Sequence, residues 1–95
     1  MIRYLALLRF TAQGLKAIKK STARAALFRD AAIKAGVNVE AQYWTTGSYD
    51  GILIFKAKDE TAALRCLAAL AAAGNVTTET LRAFDAKEFE AIAGK

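Results

Sequence analysis

A chain of 95 residues and 10.2 kDa, 55% hydrophobic and 24% charged, has room for one core over residues 1–95 and too much apolar material to be disordered. A single cysteine, Cys66, excludes an internal disulfide, and the absence of histidine removes a Cys/His zinc set, an imidazole base and a histidine haem ligand, so no metal and no cofactor is expected. The net charge of +5 is uneven: residues 1–40 hold eight Lys/Arg against Asp30 and Glu40, whereas residues 41–95 hold six against seven acids.

Ile2 to Phe10 strings together Ile2, Tyr4, Leu5, Leu7, Leu8 and Phe10 and is expected to form a first strand. Arg9 cuts its apolar stretch to Tyr4 through Leu8, short of the ~7–15 residues of a signal-peptide core, so a cytoplasmic chain is expected. Thr11-Ala12-Gln13-Gly14 breaks the pattern, and Leu15 to Lys20 is a basic approach with no assigned conformation. Ser21 is the expected N-cap of a first helix that Gly36 stops. Helical spacing puts Leu27, Phe28, Ala31 and Ala35 toward a core and Thr22, Arg29, Asp30 and Lys34 away from it. Val37 to Thr46 alternates, giving a second strand with Val37, Val39, Ala41 and Tyr43 on one face and Asn38, Glu40, Gln42 and Trp44 on the other.

Gly47-Ser48-Tyr49-Asp50-Gly51 is a tight turn into a third strand, Ile52 to Ala57. Asp59 caps a second helix that runs to Ala73 before Gly74 stops it, with Ala63, Leu64, Leu67, Leu70 and Ala71 as its buried stripe. The longest uncharged run, Cys66 to Thr78, falls short of the ~20 residues of a membrane helix, so no membrane span is expected. Asn75 to Phe84, rich in Thr and Val, is a fourth strand, and Asp85 caps a short helical tail over 85–95 carrying Phe89 and Ile92.

Strand, helix, strand, strand, helix, strand is the ferredoxin-like order: an α+β fold with a four-stranded antiparallel sheet and two helices on one face. The other face has no helix of its own, yet strands one and three are apolar on both sides. An uncovered apolar patch marks an interaction site. A second copy closing the sheet is therefore expected, as a homodimer or higher homo-oligomer, with Tyr4, Leu8, Trp44, Ile52 and Ile54 as interface candidates. The basic segment holding Lys16, Lys19, Lys20 and Arg24 would suit nucleic acid. RNA recognition motifs of this topology, however, carry stacking aromatics on the first and third strands, and here only Tyr4 is suitably placed. That argues against nucleic acid as a partner.

The segment Tyr43-Trp44-Thr45-Thr46-Gly47-Ser48-Tyr49-Asp50-Gly51-Ile52-Leu53-Ile54-Phe55 resembles the GYD domain family. So do Phe10-Thr11, Gln13-Gly14, Leu70 to Asn75, and Thr78 to Phe84. The resemblance implies a dimeric α+β barrel, in which ferredoxin-like domains pair through their sheets, and it implies no biochemical role. Ser48 stands where the family has an acidic residue, which removes a second carboxylate from this turn, and Lys58 stands where proline is usual.

The Gly47 to Gly51 turn closes a hairpin whatever else it does. As a site, Trp44, Thr46, Gly47, Tyr49 and Asp50 would give a small polar ligand an aromatic wall, a phenol and a carboxylate. Two readings follow. One is a self-associating module that binds a ligand or serves assembly. The other is a cofactor-free enzyme acting on a small organic molecule, with Asp50 as base and Tyr49 beside it. Cys66, with no neighbouring base, is a structural thiol.

Overall fold

A computed structural model describes residues 1–94. The elements run β1 (Ile2–Phe10), α1 (Ala12–Lys16), a one-turn 3-10 helix (Ile18–Lys20), α2 (Ser21–Lys34), β2 (Val37–Trp44), β3 (Gly51–Ala57), α3 (Glu60–Ala72), β4 (Val76–Arg82) and α4 (Ala86–Ala93). The strands lie in the order β2-β3-β1-β4, each antiparallel to its neighbour, and α2 and α3 cover one face. This is the ferredoxin-like arrangement. Among the described residues no helix is long and apolar enough to cross a membrane.

The core lies between that face and the helices. Ala6 and Leu8 of β1, Val37 and Val39 of β2, and Leu53, Phe55 and Ala57 of β3 meet Ala32 of α2 and Ala62, Ala63 and Cys66 of α3. Phe55 is fully buried and stacks on Tyr4 with ring centroids 5.4 Å apart. Its burial contributes about 2 kcal/mol.

Both helices keep part of the expected stripes, with Phe28 of α2 and Ala63, Leu67 and Leu70 of α3 packed on the core, and depart from the rest. Leu27 is 71% and Leu64 68% exposed, and Ala31, Ala35 and Ala71 also face out, while the small residues Ala32, Ala62, Ala63 and Cys66 point inward. In alanine-rich helices the face with the smallest side chains lets the backbone come closest to the sheet, and that outweighs scattered leucines. Burial pushes the Cys66 thiol pKa up, in keeping with a packing role.

Helix ends also differ in part. Asp59 and Asp85 cap as expected, accepting from the backbone N–H groups of Ala62 and Glu88. Ser21, the expected N-cap, is instead helical itself, and its hydroxyl accepts from Arg24. Gly36 stops α2 with φ +83°, a conformation only glycine takes cheaply. The segment after β1 holds an unforeseen helix, α1, capped by the Thr11 hydroxyl accepting from the Gly14 N–H at 3.1 Å. Of the expected tail, Lys95 lies outside the described residues.

The second strand departs most. Val39 faces Phe55 and Ala41 faces Ile54, so Glu40 is an extra residue, a β-bulge. Beyond it the alternation is reversed: by register Gln42 and Trp44 join Val37 and Val39 on the helix side, and Glu40, Ala41 and Tyr43 lie on the open side, with Tyr43 also bordering the cavity between its two neighbours. The bulge is held by charge. Arg3 donates to Glu40 at 2.9 Å, Lys56 lies 3.6 Å from the same carboxylate, and Arg3 also reaches Asp85 and Glu88 at the start of α4. The Arg3 hydrogen bond holds the Glu40 carboxyl below the usual carboxylate pKa.

The strand register divides the expected interface residues. Ile52 and Ile54 are on the open face with Leu5, Leu7 and Leu81, but Tyr4 and Leu8 lie under the helices, and Trp44 is on the helix side as well. Leu8 is buried and Tyr4 packs on Phe55, so neither can form part of a contact across the open sheet.

Helix α1 is fastened to the α3–β4 turn. The Thr11 N–H donates to the Asn75 carbonyl at 3.0 Å, the Thr11 hydroxyl to that of Gly74 at 2.6 Å, and the Gln13 amide to that of Ala73 at 2.9 Å. Gly14 permits this approach, because a Cβ there would collide with the Asn75 carbonyl oxygen. Gly14→Ala is expected to cost about 2 kcal/mol, a fall of roughly 10 °C in Tm for a domain of this size. An unchanged Tm in a thermal melt would contradict the close contact.

Candidate ligand-binding site

The reversal in β2 shapes a cavity of about 340 Å3 between the sheet and the two long helices. Leu8, Leu53 and Val76 line it from the sheet, Phe28 from α2, and Leu70 and Ala73 from α3 and its end. Polar groups are few: Ser21, Arg24, Gln42, Asp50 and Asn75. Trp44, 47% exposed, stands on its wall.

Ser21 and Arg24 come from α2, Gln42 from β2, Asp50 from the hairpin and Asn75 from the α3–β4 turn. Arg24, in the first turns of α2, donates to the Ala17 carbonyl at 2.7 Å and to the Ser21 hydroxyl at 3.2 Å. Asp50 is fixed by the hairpin. One of its carboxylate oxygens accepts from the Phe10 N–H at 2.8 Å, its own N–H donates to the Leu8 carbonyl at 2.8 Å, and its carbonyl accepts from the Thr45 N–H at 2.9 Å. Gln42, on β2 beyond the bulge, has a buried Oε1 with no hydrogen-bond partner. An unpaired buried acceptor carries a desolvation cost, about 1–3 kcal/mol, that a donor would remove.

Of the residues expected to hold a ligand, the structure brings Trp44 and Asp50 to this cavity and leaves the others outside it. Thr46 and Gly47 are exposed in the hairpin turn. Tyr49 points to the opposite side of the sheet, because adjacent residues entering a strand face opposite ways. There its hydroxyl donates to Glu79 at 2.6 Å, and Arg9 lies 4.6 Å from its ring centroid while donating to the Ser48 carbonyl. Tyr49 and Asp50 therefore do not line the same cavity.

Arg24, Gln42, Phe28 and Leu70 line the cavity although the sequence pattern does not single them out for it. Arg24 is distinguishable from Lys16, Lys19 and Lys20 as the basic residue set among Ala23, Ala25 and Ala26 inside a helix. Gln42 is hidden by the bulge.

A family model described as GYD domain matches residues 4–93, and the chain belongs to the GYD domain family. Among solved structures, the crystal structure of TTHA0845 from Thermus thermophilus is similar, with 25% identity and a TM-score of 0.60 over 90% of this chain and 96% of that one. No curated protein matches.

The Glu79 carboxylate, by accepting a hydrogen bond from the Tyr49 hydroxyl, raises the phenol pKa above its ordinary value, against a smaller opposite pull from Arg9. Whatever this bond adds to stability is present below the ordinary tyrosine range and is lost as the pH rises through the raised value. With Tyr4→Phe and Tyr43→Phe leaving one phenol, ultraviolet titration is expected to place Tyr49 above a free tyrosine and to move it down in Glu79→Gln. The same midpoint with and without Glu79 would contradict the assignment.

Proposed function

We propose that this GYD domain protein binds a small, largely apolar molecule between its sheet and helices, and pairs with a second copy through the sheet's open face. The observation that carries the first half is the cavity of about 340 Å3, apolar apart from a few fixed polar groups. Its size falls within the ~300–1,000 Å3 of small-molecule sites. The polar groups come from α2, β2, the hairpin and the α3–β4 turn, so a ligand touching them would be oriented by four separate parts of the chain.

Trp44 is the chain's only tryptophan and stands on the cavity wall, which supplies a built-in reporter. The neutral fluorescent probe N-phenylnaphthylamine is expected to brighten on binding and to quench Trp44 by energy transfer. Ala69→Phe, which puts a ring into the cavity from α3, is expected to abolish both signals while the far-ultraviolet CD spectrum stays that of the parent. Equal binding by parent and variant would contradict a site in this cavity.

The second half rests on Leu5, Leu7, Ile52 and Ile54, half-buried on the open face, and Leu81, 49% exposed beside them. Contiguous aliphatic surface of this kind is stabilised by removal from water. A sheet offering aliphatic side chains in the middle and charged ones at its rim (Arg3, Arg9, Lys56, Glu79) suits a copy of itself. Light scattering is expected to give the mass of two chains or a multiple of it, and Ile54→Lys to give one. A parent that stays monomeric at micromolar concentration would contradict the pairing.

A further inference from the structure

The cavity's polar groups are unequal in how far they are satisfied, and this inequality bears on the ligand's chemistry; the inference rests on the cavity being a binding site. Arg24 is bonded only to neutral acceptors, the Ala17 carbonyl and the Ser21 hydroxyl, and no carboxylate among the described residues forms an ion pair with it. Those two bonds fix the guanidinium and leave part of its set of five N–H donors unused. A partly buried cation against an apolar wall, with no counter-charge, is unfavourable until an anion arrives. Asp50, the one acid on the wall, is in a different condition, since its carboxylate already takes the Phe10 N–H. Gln42 adds a buried amide Oε1 that makes no bond within the chain, an acceptor that a donor group elsewhere on a ligand would satisfy.

We infer that the cavity selects an organic acid, a molecule whose carboxylate pairs with Arg24 and whose apolar body lies against Phe10, Phe28 and Trp44. Aromatic or medium-chain acids fit this description. The fixed guanidinium provides the charge-assisted bonds, and the rings provide the apolar contact.

The test compares hydrocinnamate, its amide and phenylpropylamine on the full chain, by calorimetry and by displacement of N-phenylnaphthylamine. The acid is expected to bind at least about tenfold more tightly than the amide, the gain of a charge-assisted pair over a neutral one, and the amine most weakly. Arg24→Met keeps the apolar stem and is expected to abolish the preference, bringing the acid down to the level of the amide measured on the same variant. Arg24→Lys keeps the charge and is expected to retain a preference for the acid. Equal binding of acid and amide by the parent overturns the inference, as does an acid preference that survives Arg24→Met. Tightest binding of the amine assigns selection to Asp50 and also overturns it. If the neutral probe binds and none of the three compounds does, the acid assignment falls alone; if the probe also fails, the cavity reading falls with it.

Discussion

The extra residue at Glu40 is the constraint on which the rest of the molecule depends. Up to Val39 the second strand faces the core as its pattern suggests; past Glu40 every side chain changes sides. A bulge costs ladder hydrogen bonds, and here the carboxylate of the extra residue is engaged by Arg3 from the central strand β1 and Lys56 from β3. Because Arg3 also reaches Asp85 and Glu88, the same guanidinium fixes the approach of α4. These groups are partly exposed, so the ion pairs specify geometry more than they add stability. With the strand turned over, a glutamine and a tryptophan line space under the helices that a regular strand would have given to Ala41 and Tyr43.

Phe10, Trp44, Asp50, Leu70 and Asn75, from segments far apart in the chain, all border that space. Asp50 of the hairpin is hydrogen-bonded to both Phe10 and Leu8, and the Thr11 to Gly14 segment is bonded to the turn at Gly74 and Asn75. Segments scattered along the sequence thus form the rim of one cavity. The two sides of the turn do different work. Asp50 braces the cavity end, whereas Tyr49, bonded to Glu79 and stacked with Arg9, ties the hairpin to β4 across the open face.

Much of the fold was legible because it rests on short-range chemistry. Asp59 and Asp85 as caps, Gly36 and Gly74 as stops and the alternation of β1 and β3 each follow from a local rule, and they suffice for the element order. The faces of α2 and α3 are legible only in part: Phe28, Ala63, Leu67 and Leu70 pack on the core as their spacing suggests, but with alanine on every side the sequence offers little contrast, and close approach to the sheet decides which of the small residues go in. Helix α1 escaped because its capping residue, Thr11, directly follows a strand and the helix spans little more than a turn. The candidate site was half legible for one reason. Trp44 and Asp50 stand out by their chemistry, but a one-residue bulge cannot be seen in an alternating pattern, so the pattern puts Gln42 on the wrong face, and proximity in sequence groups Tyr49 with Asp50 although the sheet separates them.

The cavity and its polar groups therefore stand or fall with the reversal of β2. In an isotope-edited NOE experiment on the labelled chain, the reversed strand predicts cross-peaks between the side chains of Gln42 and Leu53 and between those of Tyr43 and Ile52, the pairs that lie opposite one another past the bulge. Cross-peaks pairing Ala41 with Leu53 and Gln42 with Ile52 would mean an unbroken ladder. Gln42 and Trp44 would then face away from the helices, and the cavity as described would not exist.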